Sequence, residues 1–133
     1  MPARSRPEPP HAAELPSLTI ALGTLTRDPE RRDLPSGAVV LSFDVAVRAE
    51  GCAAESVPVS WPDPPARSAL SEGDEVVVVG RTRRRFFRSG GATASRTEIV
   101  ADRVVPVRQR ARCAAALDEA AERLGAITEP VRR

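Results

Sequence analysis

The chain has 133 residues, of which 41% are hydrophobic and 29% are charged, and its formal net charge is +2. This length allows one hydrophobic core with appendages, and the composition excludes a membrane-embedded protein. Every cation is an arginine, and the two cysteines and single histidine show no metal-ligand spacing. We therefore expect reduced thiols, no metal and no cofactor.

Residues 1–16 combine prolines with charged residues and show no hydrophobic periodicity. This composition predicts a disordered arm. A secretory signal needs an apolar run of about 7 to 15 residues, which this segment lacks. We expect a cytoplasmic protein whose folded part begins near Ser17.

Alternating apolar residues predict two half-buried strands next in the chain. The first places Leu18, Ile20 and Leu22 on one face, and the second covers residues 39–47. Turn-forming proline and glycine dipeptides lie between the two strands. The intervening residues 26–37 are therefore predicted to be a long, solvent-facing loop of a hairpin.

Three further strands are predicted downstream. Residues 57–61 form a short strand, followed by three prolines and one helical turn at residues 67–70. Residues 75–88 form a long strand with a bulge or bend at Gly80, and residues 97–107 follow a glycine turn. Five strands with a helical turn between the third and fourth predict an all-β fold, the five-stranded OB-fold barrel.

Residues 108–133 are alanine-rich and predict a C-terminal α-helix that ends near Gly125. The helix is expected to pack on the barrel or to self-associate, although a helix of this length can also stay transient. Its apolar side chains recur at heptad-like spacing: Cys113, Leu117, Ala120, Leu124 and Ile127.

Three sequence blocks resemble the bacterial single-stranded DNA-binding (SSB) family. LTRDPERR at residues 25–32 and LPSG at residues 34–37, before a strand with Phe43, resemble the family's first hairpin. EGDEV from residue 72 and TEIVADRV from residue 97 match two further blocks in the right order. The resemblance covers residues 17–107. It implies the OB fold, single-stranded DNA as ligand, frequent assembly as a tetramer, and aromatic side chains that stack on bases.

The resemblance assigns stacking roles to particular aromatic residues. The family's aromatic at the end of its third strand corresponds to Trp61, and the one in its outer fourth strand corresponds to Phe87, beside Phe86. A further family aromatic has no counterpart in residues 48–54. The chain ends in EPVRR, where replication-type members carry an acidic, Phe-terminated tip. An accessory or specialised paralogue is therefore favoured over a replication hub.

Binding single strands without reading sequence requires cations for phosphates and flat apolar faces for bases. Residues 81–96 contain six arginines and no acid. Phe43 is assigned to the core, whereas for Trp61 a core position and base stacking both remain open. The predicted DNA-binding residues are Trp61, Arg81, Arg83, Arg84, Arg85, Phe86, Phe87, Arg88 and Arg96, with Arg27 and Arg48 at even odds.

No nucleophile with a base and no glycine-rich phosphate loop occurs in the sequence, so an enzyme is not predicted. The sequence predicts a nucleoid-associated homo-oligomer that binds single-stranded DNA independently of sequence, in replication, recombination or repair. Single-stranded RNA is an alternative ligand. The alternative function is an OB-fold protein-interaction or oligomerisation module that uses the helix at residues 111–124.

Overall fold

The computed structural model describes residues 17–48, 50–66 and 68–128, with side chains through Gly125. The predicted disordered arm at residues 1–16 lies outside this part of the chain. The strands and the helix follow in order: β1 (Thr19–Leu25), β2 (Glu30–Asp33), β3 (Val39–Val47), β4 (Glu55–Pro62), β5 (Glu75–Ser89), β6 (Ala92–Pro106) and α1 (Arg110–Thr128).

The six strands form one sheet in the order β1-β5-β6-β4-β3-β2, and an additional pairing of β1 with β3 closes it into a barrel. Neighbouring strands are antiparallel except β4 and β6, which pair in parallel at Val59 and Ile99. This closed β-sheet has the OB-fold architecture. The predicted fold class is confirmed.

The predicted count of five strands is too low by one. The segment expected to be a loop contains β2, which pairs with β3 from Glu30 opposite Ser42 to Asp33 opposite Val39. All four residues of β2 are exposed. Since neither face of β2 is apolar, its sequence shows no periodic signal. β2 and its flanking turns, residues 26–38, project from the five barrel strands. This segment is called the arm below, and it is distinct from residues 1–16.

The predicted core face of the first strand is wrong. Ile20 and Leu22 are 50% and 58% exposed, and the inward residues are Ala21, Gly23 and Leu25. A Cβ on Gly23 would lie 2.8 Å from a backbone oxygen of β3. The barrel wall is therefore tight at this point, and small inward residues replace the larger ones that sit outside.

The barrel interior is filled by one apolar cluster. Phe43, Val45, Val76 and Val78 are at most 1% exposed, and side chains from β1, β4 and β6 contact them. The assignment of Phe43 to the core is confirmed. These residues alternate along their strands, as expected for a sheet with one face inside a barrel.

A bulge interrupts the long β5–β6 hairpin. Val79 pairs with Arg103 but Gly80 pairs with Ala101, so Asp102 is the extra residue. The predicted irregularity at Gly80 is confirmed, although the added residue belongs to β6. A Cβ on Gly80 would overlap backbone atoms of β6. Beyond this point β5 and β6 continue together as a two-stranded ribbon, residues 81–98.

Helix α1 packs on the outer side of the barrel, where Cys113, Ala116 and Ala120 cover valines of β5 and β6. It extends past the predicted end at Gly125 to Thr128. The predicted apolar stripe is only partly correct, because Leu117 and Leu124 are 39% and 47% exposed. Small side chains at the contact let the helix approach the sheet closely. Ile127 lies outside the described side chains.

Two ion pairs hold α1 beside the bulge. Arg103 donates to a carboxylate oxygen of Glu119 at 2.7 Å, and a guanidinium nitrogen of Arg123 lies 3.5 Å from Asp102. No helix in the described part of the chain is long and apolar enough to cross a membrane.

The predicted helical turn after β4 is absent from its described residues, 68–70. In its place Ser68 donates its backbone N–H to the carbonyl of Pro65 at 3.1 Å.

Candidate nucleic-acid interface

A groove of about 1050 Å³ runs across the outer face of β3 and β4. Side chains alternate between the two faces of a strand, so the residues between the buried Phe43, Val45 and Val59 point outward. Ser42 and Asp44 of β3 and Ser60 of β4 accordingly line the groove. The arm and the ribbon form its two walls.

The ribbon wall is strongly basic because its cross-strand register groups arginines on one face. Arg81, Arg83 and Arg85 alternate along β5, and Arg85 lies opposite Arg96 of β6. All four line the groove. Arg84, on the alternate face of the strand, also reaches the groove edge, and Arg27 borders it from the arm.

Two phenylalanines supply exposed ring surface at the groove. Phe87 is 42% exposed and Phe86 is 66% exposed, and both contribute to the groove lining. Exposed aromatic rings of this kind are uncommon unless they serve a contact, since burying such a ring is worth roughly 1.5 to 3 kcal/mol. They offer flat apolar faces next to the arginines.

Trp61 does not belong to this surface. Its side chain is 5% exposed and packs in the barrel core. It sits with Val57 and Val59 on the inward parity of β4 and faces a separate small cavity at the end of the barrel, beside Leu70 and Val104. The position of Trp61 supports its alternative assignment as a core residue, and a stacking role for Trp61 stays a prediction.

Glu98 holds arginine side chains of the ribbon wall in position. It is the buried charged residue of the described chain, at 5% exposure, and it lies opposite Arg83 in the register. Arg83 donates Nε–H to its carboxylate at 3.0 Å, and Arg85 approaches the second oxygen at 3.9 Å. Charge-assisted bonds of this type hold the long arginine side chains in place.

Asp44 lies between the two walls on the groove floor. One carboxylate oxygen is 3.8 Å from a guanidinium nitrogen of Arg27, on the arm. The other is 3.5 Å from Arg96, on the ribbon. Its side chain is 24% exposed. The groove floor therefore presents a carboxylate flanked by two cations.

Besides Trp61, two predicted site residues lie outside the groove. Arg88 is at the ribbon tip and donates to the carbonyl of Gly91 at 3.3 Å, and Arg48 is exposed after β3. The sequence reasoning missed Asp44 and Glu98 entirely. The alternation of residues along β3 and β6 indicated that both side chains point outward. Acids were nevertheless not expected in a site that binds a polyanion.

An OB barrel whose outer groove combines arginines with exposed aromatic rings resembles the OB-fold domains that bind nucleic acid. Residues 17–107 match a family model described as the single-strand binding protein family. This match spans more than half of the chain. The chain belongs to the single-strand binding protein family, and the predicted resemblance is confirmed.

Among solved structures, the chain is similar to a deletion mutant of the single-stranded DNA binding protein from Thermus aquaticus. The TM-score is 0.56 and the sequence identity is 28%. The match covers 68% of this chain and 40% of that protein, so this chain spans less than half of the Thermus aquaticus chain. No curated protein sequence matches it.

Proposed function

We propose that the groove binds single-stranded DNA, with general affinity for strands of any sequence. The observation that carries this proposal is the ribbon wall, where arginines and two exposed phenylalanines border one groove. Arginines bind phosphates, and unstacked bases of any kind can stack on aromatic rings. A duplex keeps its base faces covered and therefore gains only the phosphate contacts.

Within this proposal, Glu98 holds the arginine side chains in place before a phosphate binds. A free arginine side chain loses about 2 kcal/mol of rotamer entropy when it is fixed. Arg83 is already fixed by its bond to Glu98 in the unliganded protein, so much of that loss precedes binding. The guanidinium retains donors for a phosphate oxygen, because it carries five N–H groups.

The test is fluorescence anisotropy of a labelled oligo(dT) with the full chain at low salt. We expect Arg85→Gln to weaken binding and Arg110→Gln, exposed on α1 and outside the groove, to leave it nearly unchanged. Absence of binding, or equal losses for the two variants, would reject the groove as the site. Competition with an RNA of the same length distinguishes DNA binding from general single-strand binding.

The proposal includes a homo-oligomer assembled through β1. Ile20 and Leu22 are exposed and lie opposite Val79 and Val77, which α1 covers. They therefore extend the apolar surface beside the helix, and exposed apolar patches commonly mark interfaces. Sedimentation of Leu22→Asp should show a smaller mass than the wild-type protein; an unchanged mass would place any interface elsewhere.

A cellular role in replication, recombination or repair, in the cytoplasm at the nucleoid, follows from the proposed ligand. A deletion strain should become sensitive to agents that create single-stranded gaps. The wild-type chain should complement the strain, and Arg85→Gln should not. Complementation by that variant would favour a protein-interaction role over DNA binding.

A further inference from the structure

The carboxylate of Asp44 is partly solvent-accessible, and its lone pairs remain available. Its oxygens lie 3.5 and 3.8 Å from the nearest guanidinium nitrogens, whereas a charge-assisted hydrogen bond is about 2.7 to 2.9 Å long. Within the described chain no group donates a hydrogen bond to this carboxylate. With a side chain 24% exposed on the groove floor, Asp44 is able to accept hydrogen bonds from a ligand.

Glu98 differs from Asp44 in this respect, although both acids line the groove. The Glu98 side chain is 6% exposed, and it already accepts hydrogen bonds from Arg83. A ligand cannot reach it without breaking that contact. Glu98 therefore positions the arginines of the ribbon, and Asp44 is the acid on the groove floor that faces a bound strand. Glu30, the third acid of the groove lining, lies on the arm beside Arg27, 3.7 Å from its guanidinium.

The carboxylate of Asp44 on the groove floor determines which part of a bound nucleotide faces that floor. It repels phosphate, which the arginine walls attract, so the backbone runs along the walls and a base edge meets Asp44. Single-stranded bases expose their Watson–Crick edges to such contacts. The four bases differ in the number of donors that they offer on this edge.

We propose that Asp44 gives the groove a preference for guanine at the position above it, an inference that rests on the proposed single-strand binding. Guanine alone presents two adjacent donors, N1–H and the N2 amino group, which match the two oxygens of a carboxylate. Adenine and cytosine place an acceptor beside their amino group, and thymine places its N3–H between two carbonyls.

The flanking arginines reinforce this preference. Arg27 and Arg96 lie on either side of Asp44, on the arm and the ribbon. Arginine binds guanine O6 and N7, which are acceptors. A guanine held on Asp44 therefore places its O6 within range of the same cationic neighbours, whereas the amino group of adenine would face them unfavourably.

The test compares three oligo(dT) strands of equal length, which carry two separated central residues of guanine, inosine or thymine. Inosine lacks only the N2 amino group, and isolated guanines do not form quadruplexes. For the wild-type chain we expect the guanine strand to bind at least about 5-fold more tightly than the inosine strand, the lower end of a bidentate base contact. Asp44→Asn should abolish this ratio.

Asp118→Asn is the matched control, since Asp118 is exposed on α1 away from the groove; it should preserve the ratio. Equal binding of the guanine and inosine strands by the wild-type chain would overturn the proposal. So would an Asp44→Asn variant that binds all three strands more tightly by one common factor, because Asp44 would then act only as a counter-ion. Failure of every strand to bind would instead reject the proposed function. Unchanged thermal unfolding of Asp44→Asn ensures that the ratio reports binding.

Discussion

At the scale of single residues, the aromatic side chains divide between burial in the core and exposure at the groove. Trp61 shares its parity on β4 with Val57 and Val59, and that face lies inside the barrel. The alternation was visible in the sequence and already indicated the core. The family resemblance indicated stacking instead, whereas the local periodicity agrees with the buried position that the structure shows. Phe87 has the opposite parity to the buried valines that β5 places in the barrel interior.

This division predicts opposite phenotypes for two alanine substitutions. Trp61→Ala removes a buried ring and should lower the free energy of unfolding by about 3 to 5 kcal/mol. Phe87→Ala should leave unfolding nearly unchanged and weaken single-strand binding by about 1 to 3 kcal/mol. Denaturant unfolding and anisotropy measured on both variants test this. A stable Trp61→Ala protein that has lost its affinity would show that Trp61 contacts the ligand.

At the scale of elements, the β5–β6 bulge decides where the barrel ends and the ribbon begins. Gly80→Ala forces a Cβ into the backbone of Val100 and Ala101, which cannot move aside as a flexible side chain would. We expect a loss of at least about 1 to 3 kcal/mol in stability and weaker binding, because the ribbon arginines would shift.

Gly125→Ala is the control for that substitution. No atom lies within 4 Å of a Cβ placed there, and alanine favours a helix over glycine by about 1 kcal/mol. Its melting temperature should therefore stay the same or rise, while that of Gly80→Ala falls. If Gly80→Ala melts at the wild-type temperature, the strands do not approach each other as closely as described.

The packing of α1 on the barrel makes a further prediction at this scale. Ala116 is 1% exposed against the sheet, whereas the adjacent Ala115 is exposed. Ala116→Leu overfills the contact and should destabilise the protein by about 1 to 3 kcal/mol. Ala115→Leu should have little effect on stability. Similar melting temperatures for both variants would mean that the helix is not docked.

At the scale of the whole molecule, periodicity and turn chemistry predicted most of the barrel. They identified the core around Phe43, the irregularity at Gly80 and the C-terminal helix. They failed where the structure is determined by the curvature of the barrel or by the pairing of strands that are distant in sequence. The wall at Gly23 is too tight for side chains, so Ile20 turns outward, and β2 forms only because β3 offers it a partner.

The candidate site shows the same limit. The arginines of β5 lie close together in sequence and were found as a cluster. The contact of Asp44 with Arg27 and Arg96 joins three elements that only the closed barrel brings together. Burial of Glu98 likewise depends on its place in the β5–β6 ladder. The sequence located the arginine cluster at residues 81–96, whereas it did not indicate that the groove places the carboxylate of Asp44 beside these cations.

This charge arrangement predicts a moderate salt dependence of binding. Seven arginines and three acids line the groove, a surplus of four positive charges. Each phosphate neutralised on a single strand changes the slope of log affinity against log salt by about −0.7, so the slope should be about −3.

Arg85→Gln should reduce the magnitude of this slope by about 0.7, and Asp44→Asn should increase it, because one opposing charge is removed. Titrations of oligo(dT) at several chloride concentrations measure the three slopes. A flat wild-type slope would mean that the arginines remain paired with protein carboxylates and that stacking alone holds the strand.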